Sequence, residues 1–306
     1  MSSLGETLEG LWNSSRKTFE SLVQEPSLHD LPQQLRKLFS FDYDDKPLNS
    51  KFYSVHFHWL KWVHDYYFQV EHLGHWPEAA RAATDEKVIL ISNHGNTLEV
   101  PLICYKFWNA ELGVIRSLVF KEAFRLPLIR EIFKSGQCLP ISVEAGRKAL
   151  KKDHIVLFPE GMDFIKHYLE KDYVVKFHKG FLRIAKEYLV ETQQEHVTII
   201  PVAHDGLDQA LKFWVINNPF LVENFIKPYL GFPFFVLPKA TFVFPAHAVF
   251  NWGTPRQIRL SDLKDEKSLT LRSNEFRNEL LRLKHRARRL RAMKGPAQPE
   301  PSPSQE

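Results

Sequence analysis

The sequence predicts an α/β fold: a mixed, mostly parallel sheet flanked by helices, with an N-terminal helical segment and a basic C-terminal helix. Three observations lead there. From about residue 87, short apolar runs recur: KVILIS, RSLVF, CLPIS, HIVLFPE and VTIIPVA. Helix-patterned stretches separate them, namely TLEVPLICYKFW, AFRLPLIREIFK, VEAGRKALKK and KGFLRIAKEYL. Such alternation is how parallel strands joined by crossover helices read in sequence. The third observation is bulk composition. With 306 residues, 44% hydrophobic and 25% charged, the chain has ample material for a core and none of the bias of a disordered one.

Residues 1–65 read as an N-terminal helical region. Leu4, Leu8, Leu11 and Trp12 keep helical spacing, and an acidic turn follows at Asp42–Lys46. Residues 51–66 predict an aromatic-rich helix with Phe52, Val55, His56, Trp59, Trp62 and Val63 on one side. The next stretch, YYFQVEHLGHWPE, alternates like a strand and then turns. The α/β domain is expected over 66–260, less regular and rich in aromatics and prolines from 207 to 250. A basic helix over 261–294 and a disordered tail over 295–306 complete the chain.

Two cysteines, Cys104 and Cys138, exclude a disulfide scaffold and a multi-cysteine zinc site and fit a reducing compartment. The first twenty residues carry Glu and Arg where a secretion signal needs an apolar core. The longest uncharged run, Ala240–Pro255, is broken by Pro245, His247 and Asn251, so no spanning helix is expected. The net charge of +5 suggests an anionic partner. Its position narrows the choice. Between Arg282 and Glu306 lie seven Lys/Arg and two acids, while the other 281 residues carry 34 of each sign. The body is neutral and the basicity is a tail.

Chemistry concentrates at two strand ends. In ISNHGNTLEVP an apolar strand runs through Asn93 into His94 and Gly95, and a helix follows near Thr97, a candidate N-cap with Pro101 in the first turn. Glu99 falls five positions after His94. A carboxylate beside an imidazole fixes its tautomer and raises its basicity, which suits a general base. A strand-end histidine satisfied by a backbone carbonyl fits the same spacing. The second strand ends in Phe158-Pro159-Glu160-Gly161, which offers a carboxylate at the same sheet edge and a glycine that permits positive φ. Taken alone, Pro-Glu-Gly is also an ordinary turn. His204 and Asp205, at a third strand end, read as a surface turn or as pocket lining.

Together and in this order, the motifs resemble the glycerolipid acyltransferase superfamily. Its pattern is met by Asn93-His94-x4-Glu99, Lys121-Glu122 with Pro127, Phe158-Pro159-Glu160-Gly161, Phe177-His178-Lys179-Gly180, Ile200-Pro201-Val202 and a late Trp252-Gly253-Thr254-Pro255. The likeness covers about 66–260. It implies an O-acyltransferase of the 1-acylglycerol-3-phosphate acyltransferase kind. That enzyme moves a fatty acyl group from acyl-CoA or acyl-carrier protein, a co-substrate, to a hydroxyl of a glycerolipid, with no cofactor and no metal. His94 is then the base and Glu99 its partner. Asn93, Gly95, Lys121, Phe158, Pro159, Glu160, Gly161 and Lys179 line the substrate site.

This sequence departs from the family in three places. Glu99 replaces the usual Asp. Gln137 follows Gly136 where an Arg is expected, and Met162-Asp163 replace Thr-Arg after Phe-Pro-Glu-Gly. The family associates those arginines with the acceptor's phosphate, so a neutral acceptor becomes a candidate. Lys121, Arg147 and Lys179 are the substitute cations at hand.

The partners expected are the thioester donor, a lipid acceptor and an anionic membrane surface met by 282–294, with no nucleic acid. The protein then sits peripherally on the cytoplasmic face of a membrane, helped by aromatics such as Trp59, Trp62, Tyr66 and Tyr67. The competing expectation is a catalytically altered relative that binds membrane or nucleic acid through its tail. A hydrolase built on His94 and Glu99 lacks a G-x-S-x-G elbow. Five histidines between His56 and His75 match no metal-ligand spacing.

Overall fold

The computed structural model describes residues 60–95, 98–121, 138–161, 176–216 and 243–294, the stretch 235–238, and positions 124, 133, 136, 218, 220, 223 and 224. The expected helices over 1–59, the AFRLPLIREIFK segment (apart from Phe124 and Phe133) and the 295–306 tail lie outside them.

In chain order the elements are β1 (Glu71–Gly74), α1 (Trp76–Asp85), β2 (Val88–Ser92), α2 (Glu99–Asn109), β3 (Ile115–Val119), β4 (Leu139–Pro140), α3 (Val143–Leu150) and β5 (His154–Leu157). There follow α4 (Gly180–Thr192), β6 (His196–Asp205), α5 (Leu207–Ala210), β7 (Phe213–Ile216), β8 (Phe235–Pro238), β9 (Val249–Trp252), β10 (Arg256–Arg259) and α6 (Glu266–Lys294). Eight strands form one sheet in the order β1-β9-β6-β2-β5-β3-β4, with β10 also on β6, while β7 and β8 pair apart. The α/β class and the mostly parallel sheet are as the sequence predicts.

Register places the strand ends that matter side by side. β2 lies between β5 and β6, parallel to both, pairing Ile91 with Leu157 and Ser92 with Val202. All of Val88–Ile91, Ile155 and Val156 are buried, as strands covered on both faces require. β6 is long enough for two neighbours on its other edge. Its first half pairs antiparallel with β10 and its second half with β9. Pro201, which has no N–H to give, sits where that edge changes neighbour, and its carbonyl accepts from Gly253 N at 2.8 Å.

Local differences have physical causes. α2 opens at Glu99 with Leu98 as an N-cap that makes no side-chain bond, and the candidate N-cap Thr97 lies outside the described residues. CLPIS yields only Leu139–Pro140 as strand, because Ser142 leaves the sheet to cap α3, accepting from Ala145 N at 3.0 Å. The turn expected after β1 is a helix with proline in its first turn. The aromatic helix expected over 51–66 ends in a π-helical turn, Val63–Tyr67, closed by Phe68 N on Val63 O at 2.8 Å.

That turn is fastened to the sheet by a one-way chain of hydrogen bonds. Trp252 Nε1 donates to His72 Nδ1 at 3.1 Å. The His72 proton must then sit on Nε2, which lies 2.9 Å from His64 Nε2. His64 therefore accepts there and donates from Nδ1 to Asp65 at 2.7 Å. Burial lowers the pKa of both rings, in the case of His72 well below the usual histidine value. His72 cannot offer Nδ1 to a proton while it takes Trp252's, so the chain holds both rings neutral.

α6 is not solvated all round. Leu269, Ser273, Phe276, Leu280 and Ala287 recur at helical spacing and are buried. They pack on β6 and β9 of the α/β domain. Asn251 Nδ2 donates to Leu283 O at 3.0 Å, and Arg291 Nε donates to Asp205 at 2.6 Å. Among the described residues no helix is long and apolar enough to cross a membrane.

Candidate active site

Three neighbouring parallel strands end together, and each delivers its motif there. β2 leads into Asn93 and His94, β5 into Phe158–Gly161, and β6 ends at His204 and Asp205. Strand ends of this kind form the ligand crevice of open α/β sheets.

His94 Nδ1 meets Glu99 Oε1 in a short contact. The same oxygen accepts from Gly95 N at 3.1 Å, so the first residue of α2 ties the His94-Gly95 turn to the helix it starts. Burial acts to raise the fully enclosed Glu99 carboxyl, yet the adjoining His94 holds it down at about 2. An ionised partner on Nδ1 keeps the neutral imidazole's proton there and makes Nε2 the basic nitrogen. The longer side chain at position 99 thus reaches both ring and amide from the helix start.

The ring of Phe158 stacks on that of His94, centroids 4.6 Å apart and planes 27° from parallel. Glu160 turns back under the turn and accepts from His94 N at 3.2 Å. Burial pushes the Glu160 carboxyl up to about 7, against the His94 amide that favours its charge. Gly161 takes φ +56°, and an added Cβ would lie 3.0 Å from the His178 ring. Pro159 is buried, and its carbonyl accepts from His178 N at 2.7 Å.

Asn93 and His204 clasp across β2 and β6. Asn93 Oδ1 accepts from His204 N at 2.8 Å, and Nδ2 donates to His204 O at 3.3 Å. His204 Nε2 lies 2.9 Å from Asn93 O and must donate to it, which leaves Nδ1 unprotonated and buried without a partner. The imidazole is lowered by burial and so neutral. This clasp gives His204 a part that its sequence reading as a surface turn missed.

Asn93, His94, Gly95, Glu99, Phe158, Pro159, Glu160 and Gly161 therefore come together. Lys121 stands exposed just past β3, the neighbour of β5, while Glu122 lies outside the described residues. Lys179 does not join the cluster by its charge, since its ammonium pairs with Glu266 at 2.8 Å. Arg147, another substitute cation, is held by Glu191 and Glu187. Two backbone amides of the motifs have partners within the site: Gly95 N donates to Glu99, and Gly161 N to Phe158 O at 3.0 Å. Asn96 and Thr97 lie outside the described residues. Cys104 and Cys138 are free thiols whose pKa burial raises, in Cys138 to about 12, so neither is a nucleophile at neutral pH. Among the described residues no cluster of three or more His, Cys, Asp or Glu could hold a metal.

No curated protein is similar enough to the chain to count as a match. The acyltransferase family model matches residues 70–205, from the residue before β1 to the last of β6. The match encloses both strand-end motifs and the Asn93–His204 clasp. Residues 70–205 are an acyltransferase domain of the glycerolipid acyltransferase family.

Proposed function

We propose that this domain transfers a fatty acyl group from a thioester of coenzyme A or acyl-carrier protein to a hydroxyl of a glycerolipid acceptor. The observation that carries the reading is the pairing of His94 with a buried, ionised Glu99 at the ends of three parallel strands. His94 Nε2 takes the acceptor's hydroxyl proton as the oxygen attacks the thioester carbonyl carbon. Glu99 steadies the imidazolium that forms, and the Phe158 face lies against it. Collapse of the tetrahedral intermediate breaks the C–S bond, and the imidazolium returns its proton to the departing thiolate. The ledger closes on an ester and a free thiol with no cofactor. General-base catalysis of this type is worth about 10²–10⁴-fold.

The reading places the protein on the cytoplasmic surface of an anionic membrane. Arg282, Arg286 and Arg289 are exposed on α6, and Trp62, Tyr66 and Phe244 are exposed aromatics of the kind that settle at lipid headgroups. The test is acyl transfer by purified protein from labelled acyl-CoA to a panel of lipid hydroxyls, wild type beside His94→Ala. Turnover by the wild type and a loss of at least a hundredfold in the variant are expected. Undiminished activity of His94→Ala rejects the assignment.

A further inference from the structure

The two arginine positions that family members use toward a phosphate hold Gln137 and Met162-Asp163 here, and Arg147 and Lys179 are spent on glutamates. Outside the matched segment, α6 carries a lysine at the level of the crevice. On α6, Lys284 is one turn beyond buried Leu280 and three residues before buried Ala287, on the stripe that ends at Arg291. Three contacts fix that stripe's height. Leu283 O takes Asn251 Nδ2, the Leu283 side chain packs against Gly253, and Arg291 reaches Asp205. Asn251 pairs with Ala203 and Phe250 with His204. Lys284 therefore lies level with the last residues of β6, where His204 and Asn93 clasp.

The Lys284 ammonium acts on both Glu160 and His204, favouring the carboxylate of one and disfavouring protonation of the other. It makes no ion pair among the described residues. It is half-buried, so its field is less screened than that of the exposed arginines around it.

We propose that Lys284 is a specificity-determining residue of the acyltransferase site, the cation that receives a phosphate of the acceptor lipid beside the hydroxyl to be acylated. The inference rests on the proposed activity and deepens it. The acceptor class is thereby a phosphate-bearing glycerolipid, not a neutral one. A lysine serves as a point charge where an arginine would grip in two prongs, so the site selects for charge more than for phosphate orientation. The lysine arrives on a helix beyond residue 205, which is why the family pattern does not contain it.

The test compares wild type, Lys284→Gln and Lys284→Arg with two acceptors of equal chain, 1-acylglycerol 3-phosphate and monoacylglycerol, at fixed acyl-CoA. The expected result for Lys284→Gln is a fall of at least tenfold in the preference for the phosphate-bearing acceptor, taken as the ratio of kcat/KM values. The change should appear in KM for that acceptor, and Lys284→Arg should restore most of it. An equal loss with both acceptors marks a structural role and overturns the assignment. A rise in KM for acyl-CoA instead assigns the lysine to the donor's nucleotide phosphates and also overturns it. Binding of glycerol 3-phosphate, followed by calorimetry with no donor present, separates this proposal from the activity. Lys284-dependent binding in a protein that transfers no acyl group leaves the lysine's role standing and removes the proposed reaction. Equal binding by wild type and Lys284→Gln removes the lysine's role.

Discussion

Gly95 donates its backbone N–H to Glu99 Oε1 at 3.1 Å, the same oxygen that meets His94 Nδ1. One carboxylate thus sets both the ring's proton and the path of the chain carrying it. Glu99→Gln keeps the volume but presents no full charge to the imidazole. A kcat loss of about 10²-fold or more is expected, with the fold retained by circular dichroism. Glu99→Asp, which restores the commoner family residue, shortens the arm by one methylene and cannot serve both donors from the same helix start. A kcat loss of about tenfold is expected in the same assay.

Gly95 also faces the clasp. A Cβ there would lie 2.7 Å from His204 Cε1, closer than real contacts allow. Gly95→Ala should push the imidazole off Asn93 O, costing about 1–3 kcal/mol in urea unfolding and at least tenfold in kcat. A variant with wild-type stability and turnover would show that the ring has room to retreat.

Glu160 gives the protein an uncommon dependence on alkali. Its folded pKa of about 7 stands above the ordinary 4.5, so between those values the folded chain binds the extra proton. Stability from this group is therefore greatest below about pH 4.5 and is lost as pH rises through 7. The ceiling is roughly 3 kcal/mol. Thermal unfolding of wild type and Glu160→Gln from pH 5 to pH 8 should show the gap moving in favour of the variant as pH rises. Parallel curves would contradict a buried, protonated Glu160.

The His64–His72 chain works in the opposite direction. Both pKa values are lowered in the fold, so the stability they contribute is complete above about 6.5 and lost as pH falls below it. Lys106 on α2 adds to the resistance against charging either ring, while Asp65 favours charging His64. Chemical denaturation at pH 5, 6 and 7 should show a decline toward acid in wild type that is reduced in the His64→Gln/His72→Gln double variant. A wild type equally stable at all three values would contradict it.

The sequence made His94, Glu99 and Phe158–Gly161 legible because each motif is local: five positions of spacing, or four consecutive residues. The strands that carry them were legible as apolar runs, and adjacency of β5, β2 and β6 follows from the parallel class only in part. The clasp of Asn93 with His204 spans 111 residues and depends on the register that sets Ser92 beside Val202, which no periodicity encodes. In α6 the density of Arg and Lys masked a buried stripe of Leu269, Phe276, Leu280 and Ala287, so a helix packed on the sheet read only as a basic tail for a membrane surface. The same masking hid Lys284, indistinguishable in sequence from the cations around it.

β6, the last strand of the family match, has β2 on one side but β9 and β10 on the other, both supplied by later sequence. The limits of family likeness are therefore not the limits of a folding unit. A recombinant piece ending at Asp205 would strip one whole flank of a ten-residue apolar strand and uncover the surface that α6 protects. Bare strand flanks of that length recruit other chains. Expressed alone, the piece should be found in inclusion bodies, and a soluble one extends through α6.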